Sequence, residues 1–312
     1  DVHRSIDRGA EGVGLYRTEV PFLMRDRFPS EEEQRAVYRM HMEAFSPNPV
    51  TMRTLDIGGD KSLPYFLIEE DNPFLGWRGI RVTLDHPEIF LPQVRAMMKA
   101  SSGLDNLRIM LPMVTHVNEL DEALSLIRRA YAELIDEGQE VSMPAVGVMV
   151  EVPAAVYLAK DMAEKVDFLS VGSNDLTQYL LAVDRNNPNV ADLYQSYHPA
   201  VLSALQFIAT AAKEAGKPVS ICGELAGDPG AAVLLMAMGY DSLSMNATNL
   251  PKVKSVIRSV SKPEADQLLA NVMQMQDVTE IRKAIQELLE SKGITRLFRD
   301  PHGPRERPQW NG

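Results

Sequence analysis

Ala145-Val146-Gly147-Val148-Met149-Val150-Glu151-Val152-Pro153 and Phe168-Leu169-Ser170-Val171-Gly172-Ser173-Asn174-Asp175 decide how this chain reads. Each is a nearly unbroken apolar run of strand length that ends on a polar or acidic residue. Runs without polar alternation suit parallel strands buried on both faces. Working outward, comparable runs occupy 12–17, 51–56, 80–84, 107–113, 219–222 and 242–245, which with 145–151 and 168–172 makes eight candidate strands.

Helical patterns fill the intervals. Ser30 with Glu33 three residues on forms a capping box, and Leu120, Leu124, Ile127, Tyr131, Leu134 and Ile135 form one apolar stripe at helical spacing. Helices near 201–215 and 231–238 are expected to stop at Gly216 and Gly239, glycines that tolerate the left-handed turn after a helix. Eight strands with interleaved helices over about 250 residues predict an α/β (β/α)8 TIM barrel. An open doubly wound sheet is the competing architecture. The barrel is expected to span about 9–258, followed by extra C-terminal helices at 263–276 and 278–291. An irregular tail over 296–312 ends a single-domain unit of 1–312. Met273-Gln274-Met275 reads as packing. The chain opens on Asp1-Val2-His3 and runs almost directly into a strand, so it is read as a piece of a longer protein.

Composition narrows the function. A net charge of −11 argues against nucleic-acid and anionic-membrane partners, since phosphates are repelled overall. No apolar run approaches the roughly 18 residues of a membrane span. One cysteine forms no internal disulfide, which makes a reducing cytoplasm the expected compartment.

In a (β/α)8 barrel the C-terminal ends of the strands converge on one site. Those positions carry Arg17, Arg53, Glu151, Asn174-Asp175 and Cys222, with Arg78 just ahead of a candidate strand and Arg185 a short loop beyond Asp175. A single arginine is ordinarily a rim salt bridge. Several at strand ends of an acidic protein make a cation pocket, whose guanidinium forks grip phosphate or carboxylate. Glu151 and Asp175 suit Mg²⁺, which takes one or two protein carboxylates and completes its shell with water and substrate oxygens. They equally suit a general acid/base pair or counter-ions to the arginines. Cys222 is either a buried filler or, in a basic pocket, a proton donor or nucleophile whose pKa the arginines tune. His116, His198 and His302 show no triad-like pairing. Asp56-Ile57-Gly58-Gly59-Asp60-Lys61 has the glycines of a phosphate loop without the P-loop order.

Six ordered motifs carry a resemblance. They are Gly14-Leu15-Tyr16-Arg17-Thr18-Glu19, Arg53-Thr54-Leu55-Asp56-Ile57-Gly58-Gly59-Asp60-Lys61 and Asn72-Pro73-Phe74-Leu75-Gly76-Trp77-Arg78. Glu151-Val152-Pro153-Ala154-Ala155, Gly172-Ser173-Asn174-Asp175-Leu176-Thr177-Gln178-Tyr179 and Cys222-Gly223-Glu224-Leu225-Ala226-Gly227-Asp228 follow. Over about 9–258 the chain resembles the C-terminal domain of phosphoenolpyruvate–protein phosphotransferases, the Enzyme I family of the bacterial phosphotransferase system. The resemblance implies a homodimeric barrel that binds phosphoenolpyruvate and Mg²⁺. It implies that Arg17 and Arg53 hold the phosphate with Arg78 close by. Glu151 and Asp175 become Mg²⁺ ligands, Asn174 and Arg185 further substrate contacts, and Cys222 the acid that protonates the enolate of pyruvate. The phosphoryl acceptor is a histidine on an N-terminal domain that this chain lacks, and an HPr-like phosphocarrier protein receives the group next. Ser173 stands where the family often has threonine.

Glu19-Val20-Pro21-Phe22, Val183-Asp184-Arg185-Asn186-Asn187 and Ser244-Met245-Asn246 resemble the nitrogen-regulatory branch, which implies an absent GAF sensor domain. The competing enzyme reading is the terminal barrel of pyruvate phosphate dikinase or phosphoenolpyruvate synthase. The competing reading of another class is a dimerisation module that senses phosphoenolpyruvate without turnover.

Overall fold

The computed structural model describes residues 2–294. Seven strands form one parallel sheet in sequential order: β1 (Val13–Arg17), β2 (Val50–Arg53), β3 (Leu107–Leu111), β4 (Ala145–Val150), β5 (Phe168–Gly172), β6 (Val219–Cys222) and β7 (Ser242–Leu243). Every neighbour pair is parallel and every connection carries helix, as parallel pairing requires. The sheet curls until β1 comes back near β6 and the end of β7, giving a nearly closed barrel ringed by helices. Register brings the strand ends level: Arg17 pairs with Arg53, Val150 with Val171, and Gly172 with Cys222.

The expected strand at 80–84 is a helix instead, Ile80–Asp85, so the described sheet has seven strands where eight were expected. Ile-Arg-Val-Thr-Leu is too short for its periodicity to separate strand from helix. Its surroundings decide. The Ile80 amide donates to the Pro112 carbonyl beyond the end of β3, and Ile80, Val82 and Thr83 turn into the protein from one side of a short helix. The remaining strands lie where expected, three of them shorter by two residues. Ser30 and Glu33 form the expected capping box on Glu31–Phe45. The expected stripe lies on Val117–Asp136, although Ile135 is exposed. Gly216 and Gly239 take positive φ just beyond the helices Pro199–Glu214 and Pro229–Met238. The first C-terminal helix is Lys262–Val272, shorter than 263–276, and the second is Val278–Ser291. Both pack on Pro229–Met238, and Met273 and Met275 lie against the outer core. The expected irregular tail lies outside the described residues. Among those residues no helix is long and apolar enough to cross a membrane.

Three apolar clusters hold this arrangement. The largest fills the layer between strands and helices. Met110, Met149, Phe168 and Cys222, with Leu15 against them, form a small cluster from side chains of five strands. Phe22, Leu55, Ile57, Leu63 and Val82 anchor the long loop after β2. In the small cluster Gly147 of β4 lies under the Phe168 ring, where an added Cβ would come within 2.4 Å of ring carbons. Gly147→Ala is therefore expected to destabilise the fold by about 1–3 kcal/mol through overpacking, read as a lower thermal midpoint. An unchanged midpoint would show that the interior is loosely packed.

Candidate active site

The loops beyond the C-terminal ends of the strands gather a dense set of charges. Asp56 is 1% exposed and faces three cations: Arg78 Nη2 at 3.2 Å, Lys61 Nζ at 3.2 Å and Arg53 Nη1 at 3.5 Å. Burial alone would raise the Asp56 pKa, but Arg53, Lys61 and Arg78 outweigh it and hold the carboxyl well below its ordinary value. Gly58 makes this approach possible. It sits at φ +101°, and a Cβ there would collide with the Trp77 carbonyl and the Arg78 Cβ at 2.5 Å.

Glu19, also buried, supports the cluster from the start of the short helix Glu19–Leu23 that follows β1. It accepts from Arg53 Nη2 at 3.1 Å and from the Asp56 amide at 2.8 Å. The Thr18 hydroxyl donates to the Arg53 carbonyl at 2.7 Å, locking the same segment from the other side. Arg78 continues the chain of contacts to Asp175 Oδ2 at 3.4 Å, and Arg185 reaches Asp175 Oδ1 at 3.1 Å. Tyr179 accepts from Arg78 at 3.2 Å and donates to the Phe74 carbonyl, tying the β2 loop to the β5 loop. Gln178 accepts from the Arg185 amide and fixes the start of its loop.

The two carboxylates at the ends of β4 and β5 differ. Burial raises Asp175, yet Arg78 and Arg185 leave it below the usual range. Glu151 is 1% exposed and accepts from the Met113 amide at 2.7 Å. Burial, together with the charges of Asp175 and Asp56, pushes it up to about 8 against the pull of Arg78 and Arg53. Gly172 leaves it room, since a Cβ there would lie 2.9 Å from Glu151 Oε2. A buried carboxyl held near neutrality beside an ionised one is short of positive charge. That is the donor set a hard divalent cation would complete, with further oxygens from water and ligand. Among the described residues no group of three or more His, Cys, Asp or Glu is placed to hold a metal without such help.

Cys222 is buried with its Sγ 3.4 Å from the Val171 carbonyl. Burial pushes the thiol up to about 11, although Arg53 and Arg17 pull the other way. The arginines were expected to tune this thiol; burial prevails, and Cys222 is a protonated thiol at neutral pH. Arg17 ends β1, is exposed, and makes no salt bridge among the described residues. Asn174 accepts from the Glu224 amide at 3.0 Å and joins the loops after β5 and β6.

Arg17, Arg53, Arg78, Glu151, Asn174, Asp175, Arg185 and Cys222 thus lie around one end of the barrel. Arg78 reaches it from the loop ahead of a helix, not ahead of a strand. Glu19, Asp56, Lys61 and Tyr179 were quoted only within motifs, with no role given. Their sequence signal is limited to lying beside strand-end arginines.

A nearly closed parallel barrel thus carries arginines and a carboxylate pair at its strand ends, a set whose chemistry suits a small polyanion. The chain belongs to the PEP-utilising enzymes: the family model for their PEP-binding domain matches residues 1–262. It is 50% identical over 93% of its length to a protein of Escherichia coli named "Phosphoenolpyruvate-dependent phosphotransferase system", covering 39% of that relative. It is 45% identical to a phosphoenolpyruvate-protein phosphotransferase of Staphylococcus carnosus, covering 92% of this chain and 50% of that one. For the phosphoenolpyruvate-protein phosphotransferase of Bacillus subtilis the values are 43%, 92% and 50%. The chain therefore spans half or less of the length of these curated relatives.

The Glu151 environment has a pH consequence. Its ordinary value is 4.5 and its folded value about 8. Between those pH values the folded state holds a proton that the unfolded state has released, so this group's contribution to stability falls as pH rises through the window. Glu151→Gln keeps an acceptor for Met113 and removes the penalty. It is expected to raise the thermal midpoint of the free chain at pH 8.5 by roughly 2–4 °C, at least about 1 kcal/mol, and by little at pH 5. Calorimetry across that range checks it; a gain independent of pH would deny the shift.

Proposed function

We propose that this chain is the phosphoenolpyruvate- and Mg²⁺-binding barrel of a phosphotransferase. The parent protein passes the phosphoryl group of phosphoenolpyruvate to a histidine on a separate domain, then to an HPr-like phosphocarrier protein, and releases pyruvate. The observation that carries this reading is the convergence of Arg17, Arg53, Arg78 and Arg185 with Glu151, Asp175 and a protonated Cys222 at one barrel end.

Arg53 and Arg78 are held rigid by Asp56, and Glu19 adds a second hold on Arg53, so their geometry is set before substrate arrives. Each also buries an Nε–H without an acceptor, which a phosphate or carboxylate oxygen would supply. Arg17, carrying no carboxylate partner, is the arginine freest to take the anion. Glu151 and Asp175 would hold Mg²⁺, whose charge would neutralise phosphoryl oxygens as the bond to carbon-side oxygen breaks. Glu151 gives up its proton for this role, so Mg²⁺ binding strengthens as pH rises toward 8. Loss of the phosphoryl group leaves the enolate of pyruvate. The Cys222 S–H then supplies a proton to its terminal carbon, and the thiolate left behind is stabilised by Arg53 and Arg17. Asn174 and Arg185 complete the substrate contacts.

The reading extends to a single-domain, cytoplasmic, homodimeric barrel of the nitrogen-regulatory branch. The smaller covered share of the Escherichia coli and Salmonella typhimurium relatives, 39% against 50% for the Staphylococcus carnosus and Bacillus subtilis proteins, supports an additional segment in the branch it resembles most.

Two experiments test this. Because Arg17 is exposed and unpaired by carboxylate, Arg17→Ala leaves the fold intact. It is expected to weaken Mg²⁺-dependent phosphoenolpyruvate binding about 10- to 100-fold, the value of a charged hydrogen bond. Titration calorimetry reads it, and undiminished affinity would remove Arg17 from the site. In the full-length parent, Cys222→Ala is expected to slow pyruvate release with little change in phosphoenolpyruvate affinity. An unchanged turnover would leave the thiol as packing.

A further inference from the structure

We propose that Ser170 of β5 is a positioning residue for the sulfur of Cys222: its hydroxyl donates to the thiolate that remains once the thiol has given its proton to substrate. The inference rests on the reading of Cys222 as the acid toward the enolate, and adds the group that receives the charge this step leaves behind.

Side chains along a strand alternate in direction. Phe168 lies in the small cluster formed with Met110, Met149 and Cys222 inside the barrel, so Ser170 and Gly172 share its inward face. Across the sheet Ser170 is level with Met149 of β4 and Ser220 of β6, and Gly172 is level with Cys222. Ser170 therefore stands one inward position from the level of Cys222 on the neighbouring strand. The position between, Gly172, carries no side chain to separate them. Ser170 is 1% exposed, and its Oγ has no hydrogen-bond partner among the described residues. The interior around it is mostly hydrocarbon and sulfur, and the Met149 sulfur already accepts from Arg53 Nη1 at 3.8 Å.

A buried hydroxyl without a partner costs stability, and alanine would fill nearly the same space without that cost. Packing alone gives no reason for serine at this position. The thiol gives one. In the free chain the Cys222 S–H donates to the Val171 carbonyl at 3.4 Å, an arrangement that suits a thiol. In the proposed reaction the S–H bond breaks and its electron pair stays on sulfur, while the proton forms a C–H bond at the terminal carbon of the enolate. The sulfur is then a buried anion beside a carbonyl oxygen, which repels it. Against the effect of burial, Arg53 and Arg17 favour that anion through their charge, and Ser170 is the side chain that does so by hydrogen bonding. A hydroxyl hydrogen rotates to suit its acceptor, so it turns to the thiolate without moving either strand. Ser170 keeps its own proton throughout, and the transfer balances between Cys222 and the enolate alone.

Substitutions in the full-length parent protein test the proposal. Ser170→Ala is expected to slow pyruvate release about tenfold, the value of one hydrogen bond to a charged group. The KM for phosphoenolpyruvate is expected to stay where it was, and the thermal midpoint not to fall, because no partner is left bare. Alkylation of Cys222 by iodoacetamide, followed at its own peptide by mass spectrometry, is expected to slow by a similar factor. In a Cys222→Ala background the same Ser170→Ala change is expected to have no further effect on turnover. Normal turnover of Ser170→Ala beside a slow Cys222→Ala would overturn this inference and leave the acid role of Cys222 standing. A loss that persists undiminished in the Cys222→Ala background would also overturn it, since the hydroxyl would then act elsewhere. Normal turnover of Cys222→Ala itself would remove the reading on which the inference rests.

Discussion

The ion network around Asp56 is the interaction on which the rest depends. Two guanidinium groups, 4% and 2% exposed, are kept at the barrel end by one carboxylate that is itself almost wholly buried. Leaving either side of such a buried pair uncompensated costs about 3–5 kcal/mol, so these contacts are not incidental. They dictate why the loop after β2 folds back at Gly58, why Glu19 turns inward, and why Arg78 is available to reach Asp175. The same residues that make the site basic also make the long loop a fixed part of the barrel.

That rigidity has a cost at Glu151. The arginines are spoken for by Asp56, Glu19 and Asp175, and too little positive charge remains for a second buried carboxylate at the end of β4. The free chain answers by keeping Glu151 close to neutral and Cys222 protonated. Both states are suited to a site that waits for a cation and a polyanion together. On the proposed function, arrival of one improves conditions for the other, since the cation ionises Glu151 and the anion satisfies the buried guanidinium donors.

Much of this was legible in the chain. The apolar runs at 145–151 and 168–172 have strand length and no polar alternation, and the residues that end them are those the structure brings together. What the sequence could not show is how pairs divide. Glu19 and Asp56 lie 37 residues apart and meet only because β1 and β2 are neighbours. Cys222 looked open to tuning by arginine because the motif shows its charged neighbours and not its depth. The segment 80–84 has β-branched residues and an apolar face of two or three positions, which fits either period, and only the Ile80 amide's bond to Pro112 shows the outcome. Eight apolar runs were counted, whereas the described sheet has seven strands, because the run at 80–84 belongs to a helix.

The most direct test of this account is the titration of the Glu151 carboxyl itself, followed by carbon-13 NMR in the free chain and in the presence of Mg²⁺ and phosphoenolpyruvate. The account predicts a midpoint near 8 in the free chain, and an ionised carboxylate throughout the neutral range once both ligands are bound. A midpoint in the ordinary carboxylate range for the free chain, or one that the ligands do not move, would contradict it.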